Sequence, residues 1–211
     1  DFFQNWLALY QDPMFLDFPI ATLTLSVGSF LVFALPWTLL AWIDPKWARP
    51  YKIQQKPFQV TKYFWPNMAR ISLNSTMIFL ILVLVWPLLR FANIGTGPVP
   101  AWYVFVFQIV LFLILDDFLF YWMHRYMHEN KWLLRHVHSV HHRIRNTCAL
   151  DGNYFHWVEF VMIGSLAMVG PILLGSHLYV LYVWIIIRNL EAADGHAGYD
   201  FPWNPLRFLP L

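Results

Sequence analysis

Three long apolar runs, about Ile20 to Ile43, Ile71 to Phe91 and Ala101 to Met123, restrict what this chain can fold into. Each approaches the ~20 residues that a helix needs to cross the hydrocarbon core of a bilayer. In that solvent a segment must satisfy its own backbone polar groups, so the runs predict transmembrane helices. Pro36 and Pro87 fall inside the first two, which membrane helices tolerate when neighbours or water satisfy the freed carbonyl. Composition agrees: only 12% of residues are charged, against about 25% in a soluble domain. The 12 Trp and 10 Tyr suit a membrane–water boundary, where a flat apolar ring carries one polar atom.

The aromatic stretch Phe2, Phe3, Trp6, Leu7, Leu9 and Tyr10 is too short to cross and is expected to lie along the interface. Residues 1–19 are therefore read as an interfacial segment and residues 20–211 as one membrane domain. There is no internal repeat and no strand-like alternation. The fold class expected is an all-α integral membrane protein with about four transmembrane or hairpin helical segments. A formal net charge of +2 gives no support to nucleic-acid binding. The single cysteine, Cys148, excludes an intrachain disulfide and a thiolate cluster; it is read as a small apolar residue.

Charge predicts the sides. Lys46, Arg49, Lys52, Lys56, Lys62 and Arg70 separate the first two runs, and Arg125, Lys131, Arg135, Arg143 and Arg145 follow the third, whereas only Arg90 borders the intervening turn. Basic loops stay in the cytoplasm, so the segment after the third run is expected there. A fourth apolar stretch, Trp157 to Ile187, is interrupted by Gly170-Pro171 and Gly175. A single crossing would carry His196 to the far side; a hairpin would return it, and the break favours the hairpin.

All nine histidines lie between His124 and His196, five of them in the two clusters His124-Arg-Tyr-Met-His128 and His138-Ser-Val-His141-His142. Asp117, Tyr121, His124 and His128 fall within a ~60° arc of one helix face. Imidazoles at i and i+4 can hold one metal ion, and a ligating imidazole usually donates its other N–H to a carboxylate, a role open to Asp117. His138, His141 and His142 can converge on a helix, while adjacent His141 and His142 diverge by ~100°, which lets them serve two metals. His136 and His177 read as incidental. His156 reads equally as a ligand or ligand partner and as an interfacial residue. Neutral imidazole suits zinc, copper, iron and nickel alike, so spacing leaves the metal open.

The two clusters resemble the first two histidine boxes of the fatty acid hydroxylase superfamily, which includes sterol desaturases and membrane fatty acid hydroxylases. Within it the chain is most similar to C4-methylsterol oxidases, through Tyr51-Lys52-Ile53-Gln54, Asn153 to Glu159, and Glu191-Ala-Ala-Asp-Gly-His196-Ala-Gly-Tyr-Asp. The resemblance covers about Tyr51 to Leu211. It implies a non-haem di-iron oxygenase with two iron ions held by His124, His128, His138, His141, His142 and His196. Asp117, Tyr121, His156 and Glu191 would be further ligands or hydrogen-bond partners of the ligands. Dioxygen would be co-substrate, and electrons would come from an external donor such as cytochrome b5 or a reductase. The substrate would be a membrane lipid, a sterol oxidised at a C4 methyl or a fatty acyl chain. The membrane would be the endoplasmic reticulum in a eukaryote or the cytoplasmic membrane in a bacterium. The family's third box, a second His-x-x-His-His, is expected shortly beyond Leu211, so the chain reads as a piece of a longer protein. Arg143 to Leu150 departs from the family's usual Ser-Ala-Pro-like sequence, which leaves the substrate open, and hydroxylation and desaturation stay open together because both start with the same hydrogen abstraction. A metal transporter and a non-catalytic lipid- or partner-binding member are the rival readings.

Overall fold

The computed structural model describes residues 2–208, which are helical apart from turns, loops and isolated bridges. A short helix α1 (Phe2–Ala8) and a single turn α2 (Pro13–Phe15) lead through a wide turn, Leu16–Ile20, into α3 (Ala21–Ile43). Then follow α4 (Val60–Leu89), α5 (Trp102–Glu129), α6 (Lys131–His136), α7 (Trp157–Leu173) and α8 (Leu178–Gly195). Among the described residues three helices are long and apolar enough to cross a membrane: Pro13–Ile43, Val60–Leu89 and Trp102–Glu129. Large side chains such as Leu39, Leu84, Phe107, Ile114 and Phe118 stand exposed along them. So much apolar surface outside the core belongs against lipid.

The N-terminal segment is tied to the helices. Asp12 caps α2 by accepting from Met14 N at 3.0 Å, with Pro13 at the first helical position, where its missing N–H costs nothing. Trp86 Nε1 donates to Leu9 O at 2.7 Å, and the Tyr10 hydroxyl donates to Val83 O at 2.8 Å.

Helix α4 begins at Val60, well before the expected start near Ile71. The extra turns are used. Asn67 and Asn74, each 1% exposed, donate to Asp151 Oδ1 at 2.6 Å and to Phe155 O at 3.1 Å, holding the 149–155 segment. At 30 residues the helix is about 45 Å long, more than the ~30 Å hydrocarbon core requires. Helix α5 likewise runs on past Met123 to Glu129.

The fourth apolar stretch forms two helices. The chain does not break at Gly170-Pro171: α7 continues to Leu173, and a Cβ on Gly170 would lie 2.6 Å from the Phe112 ring of α5. The turn comes at Gly175, whose φ of +59° lies in the region glycine enters at no steric cost. That turn pairs with the loop after α4 through Gly95 N to Ser176 O at 2.9 Å and Leu178 N to Gly95 O at 2.8 Å. At the opposite end Gln54 donates to Arg145 O at 2.9 Å, Asn146 to Pro57 O at 2.7 Å, and Ile53 N to Gly198 O at 3.1 Å. The basic loop, the histidine segment and the stretch after α8 therefore share one end of the molecule.

Two halves meet around the interior. Helix α8 packs chiefly on α3, and α5 chiefly on α7. One apolar core joins Phe30, Ala34, Leu150, Ala193 and Phe201. The other joins Phe18, Trp86, Phe112, Leu181 and Trp184 toward the far end.

Candidate metal centre

Helix α5 brings His124 and His128 one turn apart on the same face, with their Nε2 atoms 3.0 Å apart. Asn130 then stops α5 and caps α6, its side chain accepting from Trp132 N and Leu133 N at 3.0 and 3.1 Å. The chain folds back, so that the turn after α6 faces α5. His138–Arg143 is a 3-10 stretch, not the α-helix expected. His138 Nε2 lies 3.0 Å from His128 Nε2 and 2.8 Å from His142 Nε2, and His142 Nε2 lies 3.2 Å from His128 Nε2. One nitrogen from each of the four rings lies within 4.8 Å of the others.

These contacts cannot all be hydrogen bonds. A neutral ring nitrogen carries either a proton or a lone pair, never both. In the triangle of His128, His138 and His142 at least one edge must therefore oppose two protons or two lone pairs. A cation among them removes the conflict, because all the nitrogens then act as lone-pair donors. The residues present fit a metal ion on that ground.

Glu159 orients the set. Its Oε1 lies 2.7 Å from His138 Nδ1, and the two side chains are 2% and 0% exposed. A carboxylate there holds the proton on Nδ1 and turns the Nε2 lone pair inward. This is the role the helix stripe offered to Asp117. The structure gives it to a residue from α7, 21 positions later. The available signal was an acid in the first turn of a helix otherwise apolar, since such a residue requires a partner.

His141 turns the other way from its neighbour. Its ring stacks on Phe155 at 4.5 Å and lies 5.4 Å from the ring of His196, which the α7–α8 hairpin returns to this end. Among the described residues its buried Nδ1 has no hydrogen-bond partner. Burial first, then the imidazoles of His196, His142, His138 and His124, push its pKa down to about 3, so the ring is neutral. His196 Nδ1 contacts Ala192 O at 2.9 Å, which leaves Nε2 as its other ring nitrogen. The six predicted histidines thus fall into a group of four and an adjoining pair.

The other predicted residues lie elsewhere. Tyr121 is exposed and accepts from Arg125 at 3.3 Å. Asp117 is exposed on the wall of a cavity, because its neighbour Asp116 takes the inward position and pairs with Arg188 of α8 at 2.5 Å. His156 caps α7 by accepting from Val158 N at 3.3 Å. His177 bonds Gly97 O, and His136 stacks on Trp132. Cys148 is buried, and burial, with Asp151 next to it, raises its thiol to about 12, which removes it as a nucleophile.

A cavity of about 690 Å³ lies between the helices and reaches His196. His196, Phe155 and Glu191 line its inner end, and Leu82, Leu89 and Ile172 lie among the apolar residues toward the other. Of the aromatic residues near the histidines, Phe120 and Phe155 line it; Phe118, Tyr121, Trp122 and Trp157 point outward. Its size suits a drug- or lipid-sized guest.

The fatty acid hydroxylase family matches residues 109–210. Very-long-chain aldehyde decarbonylase GL1-11 of Oryza sativa subsp. indica is 40% identical over 163 residues, 76% of this chain and 60% of the relative. Methylsterol monooxygenase 2-1 of Arabidopsis thaliana is 36% identical over 202 residues, 93% of this chain and 73% of the relative. Methylsterol monooxygenase 1-3 of the same plant is 31% identical over 191 residues, covering 86% and 63%. The chain spans about 60% of the length of the aldehyde decarbonylases it matches. No solved structure matches it.

Proposed function

Since the chain belongs to the fatty acid hydroxylase family and lies close to the methylsterol monooxygenases within it, we propose that it is a membrane-bound non-haem di-iron oxygenase of lipids, acting on sterol C4 methyl groups. The observation that carries this reading is the meeting of four imidazoles with the His141–His196 pair beside them, His196 itself lining a mostly apolar cavity.

His124, His128, His138 and His142 would hold one iron. His141 and His196 would contribute to the second, with further ligands from outside these residues. When bound, iron supplies the redox chemistry that activates dioxygen toward an unactivated C–H bond. The chain's own residues bind, orient and exclude. Glu159 fixes the ring of His138. Phe155 packs flat on His141 and closes one side of the pair. The apolar wall from Ile81, Leu82 and Val85 of α4 to Met168 and Ile172 of α7 accepts a hydrocarbon body directly from the bilayer and keeps bulk water from the reacting carbon. Electrons would arrive from an external donor such as cytochrome b5 or a reductase. Basic residues gathered at the histidine end favour the cytoplasmic side for it.

The four-histidine group sits at one end of the helices rather than midway along several of them, which weighs against a metal transporter. Fatty acyl hydroxylation or desaturation begins with the same hydrogen abstraction, and the cavity's chemistry accommodates it as the second substrate class.

The test is metal content and turnover together. Protein purified without chelator should carry iron, approaching two per chain. Supplied with reductant, dioxygen and a C4-methylsterol, it should yield an oxygenated sterol by mass spectrometry. Iron with product from fatty acyl lipid alone would change the substrate; zinc or no metal, with no product after iron loading, would sink the reading.

A further inference from the structure

The Asp116–Arg188 contact joins the two halves of the molecule across the cavity wall. Asp116 lies in α5, and Arg188 in α8, with side chains 10% and 20% exposed and an Oδ2 to Nε distance of 2.5 Å. Asp116 lies within the candidate span Trp102–Glu129. Stability is a weak explanation for such a pair, because taking two charges out of water offsets their attraction. Ionisable residues within membrane helices more often serve a function.

Position suggests the function. Asp116 is eight residues before His124, and Arg188 is eight residues before His196. Eight residues rise about 12 Å, so the pair lies the same distance from the histidine end on both helices. Both run toward that end, since His141 and His142 lie together there, His142 beside His124 and His141 beside His196. A second link rises from the same residue: the Arg188 guanidinium lies 5.6 Å from the centre of the Phe120 ring, and that ring meets His124 at 5.5 Å. Helix α8 otherwise packs chiefly on α3, not on α5.

We propose that the Asp116–Arg188 pair is a positioning clamp that sets the height of α8 against α5, and so places His196 beside the four-histidine group. A one-turn slip of α8 would move His196 by about 5.4 Å, far outside ligand reach. The proposal rests on the dinuclear reading above, since the clamp matters only if His196 serves a second ion. Asp117 and Glu191 also line this stretch of cavity, but the clamp assigns them no contact.

The test compares iron per chain, by elemental analysis after anaerobic loading in nanodiscs, for the full chain and two double variants. Asp116→Leu with Arg188→Leu removes both charges and keeps apolar volume, so the fold should survive. It should retain iron in the four-histidine group and lose the second ion, falling from two per chain to one. In the metal-free protein, amides 192–196 should exchange faster than in the parent. Asp116→Arg with Arg188→Asp restores the attraction in reverse and should restore two. Two irons per chain in the apolar variant, with unchanged exchange, would overturn the clamp. One iron per chain in the unaltered protein would instead overturn the dinuclear reading beneath it. A charge-reversed variant holding one iron would show that the site needs more than attraction at this position, and the clamp as stated would fail.

Discussion

The two groups of histidines are built in opposite ways. His124, His128, His138 and His142 come from one stretch of chain that leaves the membrane, turns at Asn130 and folds back on itself. His141 and His196 are 55 residues apart and meet only because α7 and α8 form a hairpin that returns to the same end. The first group depends on a local turn and one outside carboxylate. The second depends on how high one helix stands against another. A site assembled locally should tolerate strain in the fold, and one assembled across helices should not.

The largest expected effect separates the groups outright. His142 is exposed, so His142→Ala should leave the fold intact. It should weaken iron at the four-histidine group by more than the ~10–100-fold typical of losing an outer partner. His196→Ala should spare that group and lower total iron from two per chain toward one. Isothermal titration with ferrous iron under argon would resolve the two affinities. Equal losses from both variants would mean that the groups form one cooperative site.

A smaller effect is expected one step out. Glu159→Gln keeps the size of the side chain but presents either an amide N–H or a weaker acceptor to His138 Nδ1. Affinity at the four-histidine group should fall about 10–100-fold, with binding at the pair less affected. Unchanged affinity in the same titration would show that the carboxylate is structural only.

The smallest effect marks the boundary of the centre. His156 caps α7, so His156→Ala should cost about 1 kcal/mol of stability in thermal unfolding. Iron content should not change. A lost iron would place His156 in the centre after all.

The spans and the two histidine clusters could be read along the chain because each depends on neighbours. A run of apolar residues crosses a bilayer whatever surrounds it, and imidazoles at i and i+4 share a helix face by backbone geometry alone. The start of α4 was not legible in this way. Val60 to Arg70 is broken by Lys62, Asn67 and Arg70 and has no apolar run long enough to signal a span, and its helix is secured by Asn67 and Asn74 reaching to Asp151 and Phe155, more than 80 positions later. The same limit governs the acids. Helical phase identifies Asp116 and Asp117 as facing different ways, but Arg188 decides which faces inward, and it lies 72 residues on. Glu159 was visible as an acid in an apolar helix, but its partner was not.

The sequence by itself determined that this is a helical membrane protein, that imidazoles cluster where its third span ends, and that the chain resembles a family of lipid oxygenases. Those follow from composition, period and motif, which are properties of contiguous residues. Only the tertiary structure decided how the histidines divide, four in one group and two beside it, which carboxylate orients His138, and that His196 lines the cavity. These are set by distances between helices, and no local property of the chain records how far apart two helices stand.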